Sequence, residues 1–155
     1  MLPMYFIVDT NIIIAYIKHE NSPLTAFIED TKNKFYYTET VKKEIGTRHK
    51  IPKLFNFVDS TLDQKRKDDA FQELGISNIK MINDLFIIFE AGFICYSITE
   101  LDDFNEPILL TNNLVLHKKY IARPIRKQEL ENIINLYGFE HLINVCTPME
   151  VIPGY

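Results

Sequence analysis

The segment Met4-Tyr5-Phe6-Ile7-Val8, closed by Asp9-Thr10-Asn11, constrains this chain more than any other. An almost wholly apolar run with no polar alternation marks a strand buried on both faces. Such strands belong to parallel sheets that helices cover on either side. Asp, Thr and Asn are residue types that cap helix N-termini, and residues 12–18 read as a helix opening straight from the strand. A buried strand that turns into a helix through a polar triplet is the first half of a βαβ unit.

The remaining chain continues the alternation. Ser22-Pro23 opens a second helix running to about Thr31, with proline at a tolerated first-turn position. Phe35-Tyr36-Tyr37 forms a second short strand, Thr38 or Thr40 caps the helix of residues 41–45, and Gly46 stops it. Residues 59–73 read as an exposed helix, with Leu62, Ala70, Phe71 and Leu74 turned inward. Residues 79–91 form a strongly apolar helix ended by Gly92, and residues 107–111 a third buried strand. An amphipathic helix over 127–137 closes at Gly138; residues 142–146 form a last strand before Thr147-Pro148-Met149-Glu150. This order predicts an α/β fold, a three-layer α/β/α arrangement around a parallel sheet of about four to five strands. No repeat, low-complexity stretch or linker divides the sequence, so residues 1–155 read as one domain with a substantial core.

Composition narrows the class further. With 46% hydrophobic and 25% charged residues the chain is globular rather than disordered. Its longest apolar runs, such as residues 85–89, are too short to cross a bilayer. No basic segment followed by an apolar stretch opens the chain, which predicts a cytoplasmic protein with no membrane partner. Cys95 and Cys146 have neither metal-ligand spacing nor a disulfide framework and read as ordinary buried side chains. The formal charge of −4 argues against a surface that coats nucleic acid. It leaves room for a nuclease, because carboxylates that hold divalent cations lower the count and the bound metal reverses the local field.

Ligand chemistry in parallel sheets gathers at the carboxyl ends of strands, so polar residues just after strands carry the information. Asp9 and Asn11 follow the first strand, Glu44 lies in the helix after the second, and Asp84 lies near the start of the long apolar helix. Thr111-Asn112-Asn113 follows the third strand. Asp9, Glu44 and Asp84, drawn from separate segments, match what Mg²⁺ or Mn²⁺ requires. Such ions take a few carboxylate oxygens and leave places for water and substrate phosphate. Each acid also has a plainer reading. Asp9 serves as an N-cap, Glu44 sits on a solvated face with Lys42 and Lys43, and Asp84 favours a helix start beside Asn83. Asp84 interrupts an apolar stretch, however, where a carboxylate is costly unless paired, coordinated or on a rim. Lys42, Lys43, Arg48, His49, Lys50 and Lys53 form the densest basic stretch, and Lys118, Lys119, Arg123 and Arg126 a second; each is a phosphate contact or a solvated face. His49 and His117 are isolated and receive no catalytic role.

Taken in order, these segments resemble the PIN-domain family, including the toxin nucleases of VapC-type toxin–antitoxin pairs. Residues 6–13 look like the family's opening strand with its Asp, Thr and Asn; residues 38–45 resemble the segment with its second acid. Residues 84–91 are similar to the helix that begins with the third acid, residues 109–113 to the strand and turn usually reading Thr-Asn-Asp, and residues 145–150 to the final strand with its Thr-Pro ending. The resemblance implies an Mg²⁺- or Mn²⁺-dependent endoribonuclease in which Asp9, Glu44 and Asp84 hold the metal. Asn11 would orient Asp9 or a metal-bound water, and Thr111 would hold the strand end. In-line attack by hydroxide would leave a 5′-phosphate and a 3′-hydroxyl. The implied partners are an RNA substrate, a small antitoxin protein and a second copy of the chain in a homodimer.

Two departures stand out. Asn113 is neutral where the family has a fourth acid, which bears on a second metal and on activity. The connection over residues 93–106 is longer than usual and contains Glu100, Asp102 and Asp103. Asn113 therefore leaves an alternative reading: a PIN-like module that binds RNA or protein with weakened or no cleavage. A haloacid-dehalogenase-type phosphatase would carry a second Asp at the place of Asn11. A receiver domain would need paired acids after the first strand and an Asp after the third, and neither is present.

Overall fold

A computed structural model describes residues 4–18, 22–30, 32–59, 64–75, 79–99, 107–112, 124–137 and 143–153. In chain order these form β1 (Tyr5–Val8), α1 (Thr10–Lys18), α2 (Pro23–Glu29), β2 (Lys34–Tyr37), α3 (Glu39–Ile45) and β3 (Phe55–Phe57). There follow α4 (Gln64–Leu74), α5 (Ile79–Thr99), β4 (Ile108–Leu110), α6 (Pro124–Tyr137), β5 (Asn144–Cys146) and α7 (Pro148–Val151). The strands make a single sheet in the order β3-β2-β1-β4-β5. Every neighbouring pair is parallel, and the fold is a three-layer α/β/α sandwich.

The central strand is the apolar run that opens the sequence. Phe6, Ile7 and Val8 have no solvent exposure, because alternate side chains point to opposite faces and both faces are covered. Phe6 is in register with Phe35 of β2, and Phe35 with Phe55 of β3, so three phenylalanines form a row across the sheet. The Phe6 and Phe35 rings stack with centroids 5.3 Å apart, while Phe27 of α2 meets both edge-on. Tyr16 of α1 meets Phe55 edge-on at 5.6 Å. Burying each such ring contributes about 1.5–3 kcal/mol, and these contacts fix α1 and α2 against one face of the sheet. α1 packs on α3, and α3 packs on α5, which also touches β1.

Local signals act as their chemistry predicts at several boundaries. The Ser22 hydroxyl accepts a hydrogen bond from the Thr25 amide at 3.1 Å, and Pro23 begins α2. Gly46 ends α3 with φ of +55° and donates its amide to the Lys42 carbonyl. Elsewhere the structure departs from the pattern. β3 directly follows the basic stretch, and in it only Phe55 is buried while the edge position leaves Asn56 and Phe57 outward. α5 runs through Gly92 to Thr99, because Ala91, Gly92 and Ile94 remain buried and the packing that favours the helix continues. α6 begins at Pro124, with proline again in a first turn. Asn113, the acids Glu100, Asp102 and Asp103, and Gly138 lie outside the described residues, as do His117 and the basic residues 118, 119 and 123. Among the described residues no helix is long and apolar enough to cross a membrane.

Candidate active site

Six polar side chains are buried among the described residues: Asp9, Thr38, Thr40, Glu90, Thr111 and Thr147. Four of them (Asp9, Thr38, Thr111 and Thr147) directly follow a strand. The interior polarity therefore collects at the carboxyl edge of the sheet. The strand order supplies a sharper address. The chain lays down β2 and β3 on one side of β1 and β4 and β5 on the other, so the direction reverses between β1 and β4. Crevices at such reversals are where open α/β sheets bind their ligands.

Asp9 sits at that reversal. Its amide donates to the Leu110 carbonyl at 2.9 Å, carrying the β1–β4 ladder one residue beyond the strands. Its side chain is only 4% exposed. The Thr111 hydroxyl donates to Oδ2 at 2.7 Å, and the Thr10 amide donates to Oδ1 at 2.7 Å. Both partners are neutral. Burial drives the Asp9 pKa up, and the hydrogen bonds from Thr111 and Thr10 offset part of that rise.

Thr10 joins this group to α3. While its amide holds Asp9, its hydroxyl donates to Glu44 Oε1 at 3.0 Å. Glu44 is exposed, yet partial loss of hydration is the largest cause raising its pKa; the Thr10 hydrogen bond lowers it, and the negative charges of Asp9 and Glu90 raise it further. Asn11 acts on the neighbouring connection, where its Oδ1 accepts from the Asn112 amide at 3.0 Å. Asp9, Thr10, Asn11, Glu44, Thr111 and Asn112 thus meet at one place, though their sequence positions span 9 to 112.

The third carboxylate acting there is Glu90. It has no solvent exposure, its Oε1 accepts from the Thr40 amide at 3.2 Å, and its charge reaches Glu44. Asp84 lies six residues earlier on α5 and is half-buried. In a regular helix six residues amount to about 9 Å along the axis and roughly 120° around it, so the two acids leave α5 at different heights and on different sides. Glu90 follows no strand and so is not marked by position, although Ile87, Ile88, Phe89 and Ala91 make its neighbourhood more apolar than that of Asp84. A carboxylate in that setting was the available signal.

Lys42, named for phosphate contact, places its Nζ 4.4 Å from the centroid of the Phe57 ring, which Tyr37 also meets. Lys43, Arg48, Lys50 and Lys53 are exposed and His49 is half-buried. Cys146, at the end of β5, is a free buried thiol. Burial, and then the charge of Glu150, raise its pKa.

An oxygen-only donor set with neutral hydrogen-bond donors suits a hard divalent cation rather than a soft one. No group of three His, Cys, Asp or Glu side chains forms a ready metal cage among the described residues. Magnesium commonly binds through one or two carboxylates, with water and substrate phosphate completing its shell. Asp9 and Glu44 are the two carboxylates that Thr10 holds together here. No protein-family model, curated protein or solved structure matches the chain.

Proposed function

We propose that this protein is a metal-dependent nuclease of PIN-domain type that hydrolyses RNA phosphodiester bonds at the Asp9–Glu44 pocket. One observation carries the reading: a buried aspartate at the β1–β4 reversal, joined to a second carboxylate through the amide and hydroxyl of Thr10, with no cationic partner among the described residues. A buried aspartate whose charge raises the pKa of a neighbouring, partly dehydrated glutamate forms a natural seat for a divalent cation. Bound Mg²⁺ or Mn²⁺ supplies Lewis acidity toward a phosphate oxygen and acidifies a water. Asp9 and Glu44 would hold the ion and thereby lose the repulsion between them. Thr111 and Thr10 keep the Asp9 carboxylate in one orientation, so that it need not reorganise when substrate arrives. Asn11 secures the turn after β4, the segment that leads to Asn113.

RNA as substrate, an antitoxin protein that occludes the pocket, and a homodimer belong to this proposal as the partners of the toxin form. A cytoplasmic setting agrees with the free thiol of Cys146. The competing reading is a module that binds RNA or protein without cutting, which Asn113 favours. Incubation of the purified protein with single-stranded and structured RNA, with Mn²⁺ or EDTA, separates the two. Cleavage that needs Mn²⁺ and falls by roughly 10²-fold or more in Asp9→Asn and Glu44→Gln is expected of a metal-assisted nuclease. RNA retention without metal-dependent cleavage, unchanged in Asp9→Asn, would establish the binding module instead.

A further inference from the structure

We infer that Glu90 is the positioning residue of this pocket: its carboxylate, reaching from α5, caps α3 and so holds Glu44 beside Asp9. The inference rests on reading Asp9 and Glu44 as a cation-binding pair. A helix exposes backbone amides in its first turn that need acceptors. The usual acceptor is the side chain of the N-cap residue. In α3 that residue is Thr38, but its hydroxyl makes no cap hydrogen bond. Thr38 Oγ1 is buried with no partner among the described residues. The acceptor comes from another element, as Glu90 Oε1 takes the Thr40 amide at 3.2 Å across 50 residues of sequence. A negative charge at this end of a helix is also favoured by the helix dipole.

Thr40 and Glu44 are four residues apart, one turn along the same helix face. α3 is therefore gripped at two points in succession, Thr40 by Glu90 and Glu44 by the Thr10 hydroxyl. Two fixed points one turn apart set both the rotation of α3 and the height at which Glu44 meets Asp9. Without the Glu90 acceptor the Thr40 amide loses its partner and Thr38 is free to compete for the cap. That exchange turns the first turn of α3 and moves Glu44 away.

Glu90→Gln keeps an oxygen acceptor and removes the charge, whereas Glu90→Ala removes both. Mn²⁺ alone is titrated calorimetrically into each folded variant, well below its unfolding midpoint, and exchange of the Thr40 amide is followed by NMR. The expected result is that Glu90→Gln keeps Thr40 protection and loses far less Mn²⁺ affinity than Glu90→Ala, only what the missing charge near Glu44 removes. Glu90→Ala is expected to lose roughly 10–100-fold in affinity, the range for residues that orient metal ligands, together with Thr40 protection. Two results overturn the inference: Glu90→Gln binding as poorly as Glu90→Ala, which makes Glu90 a ligand, or Glu90→Ala binding like wild type. If Glu90→Ala does not fold, Glu90→Gln decides alone: Thr40 protection kept with less than about a 10-fold loss of Mn²⁺ affinity supports the inference, and a larger loss overturns it. If wild type binds no Mn²⁺, the cation reading fails by itself. Thr40 exchange then still decides the cap: protection lost only in Glu90→Ala supports it, and unchanged protection in both variants overturns it.

Discussion

At Asp9 a carboxylate has given up most of its water, and its partners among the described residues are neutral. Burial outweighs the hydrogen bonds from Thr111 and Thr10, so the folded protein holds the Asp9 proton more tightly than the unfolded chain does. The stabilising contribution is therefore complete below the ordinary value of 3.8 and is lost as pH rises through the raised folded value. Glu44 titrates with the same sign. Without divalent cation, Asp9→Asn should consequently melt higher than wild type at neutral pH, by about 2–4 °C for each kcal/mol recovered. Calorimetric scans across pH should show that advantage shrinking as pH falls toward 3.8. An Asp9→Asn variant that melts lower than wild type at neutral pH would mean the carboxylate is compensated by a cationic group.

Among the elements, α2 and α3 make a controlled pair, because both begin at a hydroxyl residue and only one of the hydroxyls caps. Ser22 bonds the Thr25 amide; Thr38 leaves the Thr40 amide to Glu90. Ser22→Ala should cost about 1 kcal/mol, while Thr38→Val, which removes a buried unsatisfied oxygen at constant shape, should be neutral or stabilising by about 1 kcal/mol. Urea denaturation of the two variants measures both, and a cost at Thr38 equal to that at Ser22 would show that its hydroxyl caps after all. The same contrast explains what was legible from the residues. β1, the α2 start and Gly46 announce themselves because their signals are local: an apolar run, a Ser-Pro pair, a glycine at positive φ. β3 does not, since three residues with two turned outward carry no periodicity, and its place beside β2 is decided by Phe35 and Phe55 across the sheet. Likewise α5 overrides Gly92, where a typical loss of about 1 kcal/mol in helix propensity is smaller than the gain from burying Ala91 and Ile94. Asp9 and Thr111 were readable as the polar residues that end buried strands. Glu90 was not singled out, because its importance comes from Thr40, which only the packing of α5 on α3 brings near.

For the whole molecule, the proposed cation seat at Asp9 and Glu44 would couple ligand binding to stability. A divalent ion that binds only the folded form at a hundred times its Kd adds about 2.7 kcal/mol, or roughly 5–11 °C at the size of this chain. Thermal scans with and without Mn²⁺ should show that rise in wild type and its absence in Asp9→Asn; an equal rise in both would move the cation away from Asp9. The sheet order also has a consequence in time. Asp9 and its partner Thr111 are 102 residues apart, so on the ribosome the first is made well before the second. At about 5–20 residues per second a nascent chain carries its aspartate for roughly 5–20 s with no Thr111 to receive and no β4 to pair with. Whatever chemistry the pocket performs switches on late in synthesis, and any fragment released before β4 is born inert.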